Sequence, residues 1–370
     1  MSRRLHLFLG WWLRGLLGSL ALAGCEAPAT VSFEGEIERQ VVVDTQDDLA
    51  WRQYLANVRF AQGYQQRCAL ADDPGRARRR VLLTGFGRFL GNRENATGRL
   101  VSRLVPAAVY PLSSPPSPGM IDDPVAQTSV ALSTLVLPGL GEVDVCAMIL
   151  PVFWDLSAFL VLREAAAFRP DVIFMNGIAR DKQPMWMELG GVNAATALQD
   201  GSGLLTPIEE GAPLLHGLPE EAQAEGLLLS WAEVRAAAEA AIARLAAQVD
   251  GQGRTFGSIL QGIRLASFPR PSNTYLCNNT TFTVNHILGL PWETFRLLEA
   301  SHARGKGTTG IELRLGIDLG AVPREFLHWP SLLGGTHLDR AATVLRAILA
   351  AQLGAATPPT RGDPALGEEL

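Results

Sequence analysis

The chain predicts an α/β fold, a three-layer α/β/α single domain around a mostly parallel central sheet. Three observations carry this expectation. Val81-Leu-Leu-Thr-Gly-Phe86 is a mostly apolar run closed by glycine, the pattern of a strand buried on both faces before it enters a loop. Ser157–Phe168 reads as an amphipathic helix ended by Arg169-Pro170. Asp171-Val-Ile-Phe-Met175 follows at once as another strand. Strand, helix and strand on short links make a βαβ unit, whose strands are parallel and whose helices cover the sheet.

The other elements follow in chain order. Arg3 and Arg4 precede a largely apolar run, Leu5 to Leu22, which His6 and Arg14 interrupt and which ends in Leu22-Ala23-Gly24-Cys25. This is similar to a bacterial lipoprotein signal: residues 1–24 are removed and Cys25 is lipidated, giving an exported, membrane-anchored envelope protein whose partner is the lipid bilayer. A plain secretory signal and a single membrane anchor are the alternatives. Polar Glu26-Ala-Pro-Ala-Thr30 fits a tether better than a continuing helix.

Residues 25–79 then read as a tether and helical extension, with strand character at Gln40-Val-Val-Val-Asp44 and a helix over Asp47–Gln66. Asp72-Asp-Pro-Gly75 breaks it. The body spans residues 80–355. It holds a helix at Ala96–Leu104, a Pro/Ser loop at Pro111–Pro118 and strands at Thr128–Leu137 and Val143–Leu150. An alanine-rich helix at Trp231–Gln248, a strand at Gly262–Phe268 and a helix at Leu338–Leu353 complete it, with Thr336 as the last helix's N-cap. Residues 356–370 form a flexible tail.

Loss of the leader removes three arginines and takes the formal charge from −5 to −8. The one basic cluster left, Arg76-Ala-Arg-Arg-Arg80, reads as a solvated turn, so no nucleic acid is expected as partner. Of the cysteines, Cys25 carries the lipid. The economical partition joins Cys68 to Cys146 and leaves Cys277 as a free thiol, although the pairing depends on a distance the sequence does not contain.

Asn273-Thr-Tyr-Leu-Cys-Asn-Asn279, Glu325-Phe-Leu-His-Trp-Pro330 and Met187-Glu-Leu-Gly-Gly-Val-Asn193 supply a thiol, an imidazole and a carboxylate. A cysteine hydrolase needs all three: the thiolate attacks, histidine takes and returns the proton, and the acid orients the ring. By residue type alone each has a blander role. Cys277 is more often a packed, inert cysteine, His328 beside aromatics a satisfied core group, and Glu188 a surface carboxylate. His286, His302 and His337 lack metal-ligand spacing, so no metal is assigned. Asn95-Ala-Thr97 and Asn278-Asn-Thr280 have the form of glycosylation acceptors, which carry no meaning in a bacterial lipoprotein.

Leu82-Leu-Thr-Gly-Phe-Gly-Arg-Phe-Leu-Gly91, with Asn95 soon after, resembles the opening motif of the pyroglutamyl peptidase I family, also called pyrrolidone carboxyl peptidase. Leu150-Pro-Val-Phe-Trp154, Leu162-Arg-Glu164 and Pro170-Asp-Val-Ile173 continue the likeness in order. Glu188 before Val192-Asn193, Thr274-Tyr-Leu-Cys-Asn278 and Phe326-Leu-His-Trp-Pro330 match its catalytic segments, the whole spanning roughly residues 80–353. The resemblance implies Cys277 as nucleophile, His328 as general base and acid, and Glu188 as its orienting partner. It places Phe86, Phe89 and Asn95 in the substrate site. The implied substrate is a peptide blocked by N-terminal pyroglutamate, and no cofactor is implied.

The chain also departs from that family. Its Gly-Gln-Ala-Gly-Gly-Arg loop is replaced by Gly177-Ile-Ala-Arg-Asp-Lys182, and Leu198 falls about where an arginine belongs. Asn279 stands in place of a histidine. Added residues are expected around Ser202–Trp231 and Gly305–Ala321. The alternative function is therefore a catalytically degenerate member that binds a peptide or an envelope partner.

Overall fold

The structure, a computed structural model, describes residues 30–34, 45–71, 75, 77–89, 93–179, 184–207, 209–219, 221–226, 231–266, 275–298 and 310–355. The leader, Cys25, the run 40–44, Arg180-Asp-Lys182 and the tail 356–370 lie outside these residues.

In chain order, β1 (Thr30–Glu34) and α1 (Thr45–Gly63) precede the body. It opens with β2 (Arg80–Phe86), α2 (Ala96–Leu104), the short α3 (Pro124–Gln127) and a hairpin of β3 (Ser129–Leu137) and β4 (Gly141–Leu150). Next come α4 (Leu156–Phe168), β5 (Val172–Ala179), β6 (Met185–Glu188), β7 (Gly190–Val192) and β8 (Gln223–Glu225). The chain continues through α5 (Trp231–Leu245), α6 (Phe256–Ile259), β9 (Ile263–Ala266) and α7 (Leu276–Gly289). It closes with β10 (Phe295–Leu297), β11 (Gly310–Arg314), β12 (Arg324–Pro330) and α8 (His337–Gly354).

Seven strands form the central sheet in the order β3-β4-β2-β5-β12-β6-β9. The β4–β2, β2–β5, β5–β12 and β6–β9 pairs are parallel, while β3–β4 and β12–β6 are antiparallel. Alternation along each strand divides the core. Leu82, Met148 and Ile173 join residues of α1, α4 and α7 on one face. Val81, Leu83, Ala147 and Val172 join residues of α2, α5 and α8 on the other. A strand covered on both sides must be apolar at successive positions, which is why β2 reads as one run. Each fully buried Leu or Phe contributes roughly 1.5–3 kcal/mol to holding the layers together.

The extension is fastened to this body. Cys68 and Cys146 form a disulfide with a Cα–Cα distance of 5.6 Å, tying the segment after α1 to β4. Beside it the buried Glu164 of α4 accepts hydrogen bonds from Tyr64 Oη at 2.5 Å, Arg67 N–H at 2.8 Å and Cys68 N–H at 2.9 Å. The cysteines and Glu164 lie close enough together to suggest a metal site. The sulfurs are spent in the disulfide, however, and the carboxylate is occupied.

Two local expectations are corrected. Thr336 sits at the N-cap of α8, but its backbone is already helical (φ −69°, ψ −15°) and its side chain makes no capping hydrogen bond. The tether contains β1, which pairs antiparallel with β11, Thr30 opposite Arg314. That strand belongs to a small separate sheet of order β1-β11-β10.

Candidate active site

The parallel strands β2, β4, β5 and β12 end on one edge of the sheet, the usual place for a site in an open α/β fold. His328 lies near the end of β12, opposite Gly177 of β5 on one side and Trp186 of β6 on the other. Glu188 ends β6 opposite Phe326, two residues from the partner of His328, so the two side chains are diagonal neighbours on one face. His328 Nδ1 lies 3.0 Å from Glu188 Oε2, and both side chains are almost wholly buried.

Cys277 reaches the same place from α7, where it is the second residue of the helix. It is a free, half-buried thiol. A Cβ built on Gly177 would come within 2.8 Å of its Sγ and 2.7 Å of the Phe326 ring. Only a residue without a side chain lets the sulfur rest against β5 beside His328. The sulfur lies close enough for its charge to act on the imidazole. Glu188, His328 and Cys277 thus form one line from β6 across β12 to α7.

The placement of α7 rests on two asparagines and a glycine. Asn278 Nδ2 donates to the carbonyls of Val192 (2.9 Å) and Ala194 (3.0 Å), and its Oδ1 accepts from Val192 N–H (2.9 Å), which pins the helix start to β7. Asn279 Nδ2 donates to Asp155 Oδ1 at 2.8 Å, and its Oδ1 accepts from Asp155 N–H at 3.1 Å. Asp155 has φ 59°, an uncommon value for a residue with a side chain, and this clamp holds it there. A Cβ on Gly191 would meet the Phe282 backbone at 2.6 Å, so α7 lies directly on β7.

The electrostatics favour charge separation along the line. Burial by itself would depress the His328 imidazolium. The negative charges of Glu188 and Cys277, with the contact to the Glu188 carboxylate, outweigh burial and push its pKa up to about 10. The sulfur occupies the first turn of α7, whose amino end favours an anion. The N–H groups of Cys277 and Asn278 precede the first intrahelical bond, from Asn279 N–H to the Tyr275 carbonyl. They are donors of the kind that stabilise an oxyanion.

The remaining expected site residues divide. Phe86 is buried, its ring centroid 6.3 Å from that of Phe326, which lies 4.7 Å from His328. Phe89 is half-buried against the same core cluster. Asn95 is the buried N-cap of α2, its Oδ1 accepting from Thr97 N–H (3.0 Å) and Thr97 Oγ1 (2.9 Å). Its own N–H donates to Tyr110 Oη at 2.9 Å. Leu198 is half-buried, and residues 194–199 contain no arginine.

Sequence reasoning missed Gly177, Phe326 and the Asn278–Asn279 clamp, although the adjacent asparagines just after the cysteine were the available signal. It also missed Asp200, a wholly buried carboxyl that electrostatically affects Tyr275, the residue before α7. Burial, opposed by hydrogen bonds from Ser202, raises its pKa to about 7.

An α/β sheet carrying thiol, imidazole and carboxylate in line has the constellation that cysteine hydrolases use. Among solved structures the chain is similar to Bacillus amyloliquefaciens pyroglutamyl peptidase I, at 16% identity over 75% of this chain and 97% of that one, TM-score 0.42. Pyrrolidone carboxyl peptidase from Thermococcus litoralis aligns at 16% identity over 75% and 94% of the two chains, TM-score 0.43. No family model matches the chain, and no curated protein matches it in sequence.

Proposed function

We propose that this chain is a cysteine peptidase that removes N-terminal pyroglutamate from peptides. The observation that carries the reading is the Glu188–His328–Cys277 line, with its 3.0 Å imidazole–carboxylate contact. His328 takes the thiol proton, and Glu188 stabilises the imidazolium that forms. The Cys277 thiolate attacks the carbonyl carbon of the pyroglutamyl residue, and the oxyanion turns to the N–H groups at the start of α7. The C–N bond breaks as His328 gives its proton to the leaving amine, and the shortened peptide departs. His328 then takes a proton from water, which attacks the thioester. Pyroglutamic acid leaves, and the protonated histidine and thiolate are restored.

The substrate choice rests on the motif resemblance. A peptide-binding protein without turnover is the second reading, favoured by the absence of an arginine in residues 194–199. Release of a fluorophore from a pyroglutamyl amide, under reducing conditions, separates the two. Turnover lost in Cys277→Ala supports the peptidase. No turnover in a folded wild type whose Cys277 resists alkylation supports the binder. We also propose that Cys25 carries a lipid anchor, which a Cys25→Ser chain would test by its release from the membrane fraction.

A further inference from the structure

A groove of about 940 Å³ runs between the end of α1 and the start of β3, lined by Arg59, Phe60, Tyr64 and Arg67 on one wall and Thr128 and Val130 on the other. β3 is the terminal strand of the central sheet, so among the described residues its outer backbone groups pair with no strand. Its sequence, Ser-Val-Ala-Leu-Ser-Thr-Leu-Val-Leu, holds no charge. Exposed edges are ordinarily blunted by charge, proline or cover, because a bare one accepts another strand. Val125, which lines the groove, is 62% exposed.

The charges of the groove are equally specific. Arg59 and Arg67 are exposed, and no acidic side chain among the described residues pairs with either guanidinium. Tyr64 Oη is turned away to Glu164. In a chain of formal charge −5, two unpaired arginines beside an open strand edge form a local site for carboxylates.

Position ties the groove to the thiol. β3 runs antiparallel to β4, with Ser129 opposite Ile149, so the Thr128–Val130 end of the groove lies at the strand ends where the site is. Gly87 N–H donates to the Leu150 carbonyl at 2.8 Å, which brings the loop following Phe86 against this corner. From β12 to β3 the sheet crosses β5, β2 and β4. Four strand spacings make roughly 19 Å, the reach of about six extended residues.

We infer that this groove binds an acidic, extended peptide segment by strand addition to β3, with Arg59 and Arg67 taking its carboxylates. Its assignment to the downstream part of the substrate rests on the peptidase reading; the binding surface does not. Main-chain hydrogen bonds to β3 supply affinity without sequence preference, and the arginines supply the preference for acid.

Fluorescence anisotropy on the full chain carrying Cys277→Ala tests this without turnover. The probe is a fluorescein-labelled peptide with pyroglutamate first, neutral residues next, and alternating Val and Asp beyond about the sixth position. The acidic probe is expected to bind about tenfold or more tighter than its Lys-for-Asp version, with added salt narrowing the gap. Arg59→Gln/Arg67→Gln should remove that preference while leaving the melting temperature unchanged. Equal affinity for the two probes, an unaffected double variant, or pairing of β3 with a second copy without peptide binding would overturn the inference. Failure of the pyroglutamyl amide to turn over would sink the peptidase reading and leave the anisotropy result standing.

Discussion

Glu188 and Glu325 are buried carboxyls on neighbouring strands of one sheet, and the protein treats them in opposite ways. Glu188 faces the α7 layer and meets His328 at 3.0 Å. Glu325, three residues before His328 on β12, shares the face of Leu327, which packs in the α2, α5 and α8 layer. Neither of its carboxyl oxygens has a hydrogen-bond partner among the described residues. Burial alone drives its pKa well above the ordinary carboxyl range, so it is held neutral. The contrast shows that burial by itself extinguishes charge. At His328, by contrast, the partners aimed at the ring outweigh burial and keep the imidazolium.

The largest effect that can break this comparison is loss of the imidazole. His328→Ala should lower turnover of a pyroglutamyl amide by about 10³-fold or more, read as kcat/KM. Gly177→Ala should come next. Its methyl would sit 2.8 Å from Cys277 Sγ and 2.7 Å from Phe326, so the thiol must move. A stability loss of about 1–3 kcal/mol is expected, with a drop in kcat at nearly unchanged KM, measured by denaturant melts and steady-state kinetics.

Glu188→Gln should sharpen the comparison. Removing the carboxylate removes a cause that raises the His328 pKa, so the alkaline limb of the rate profile moves down from about pH 10. The sign for stability follows: the contribution of His328 is fully present below the ordinary histidine range near 6.5 and is lost as pH rises through about 10. The smallest effect belongs to Glu325→Gln. A carboxyl with a raised folded pKa binds more protons folded than unfolded, so wild-type stability declines as pH rises above the ordinary carboxyl range. The slope is at most about 1.4 kcal/mol per pH unit. The variant should lose that component of the slope and keep its turnover.

Much of the fold was legible in the sequence where burial acts alone. β2 announces itself because both its faces are covered, and α2 begins and ends where its pattern does. The α7 segment was not legible as a helix. It is rich in Asn and Thr, which have middling to poor helix propensity. Tertiary contacts override this: nearly every side chain is buried, and Thr280 and Thr281 turn their hydroxyls back to the Leu276 and Cys277 carbonyls. β6 and β10 are too short to show a period. At the site, residue type and spacing named no partners, and the motifs did. The capping role of Asn95 was not legible, because an asparagine ahead of a helix reads equally as ligand and as cap.

The most direct test of the Glu188–His328–Cys277 line is the rate at which iodoacetamide alkylates Cys277 near pH 6, compared across wild type, His328→Ala and Glu325→Gln. A thiol paired with imidazolium should react rapidly in wild type and in Glu325→Gln. His328→Ala should slow it about a hundredfold. An equally slow reaction in all three would mean that Cys277 is an ordinary packed thiol and would contradict the account.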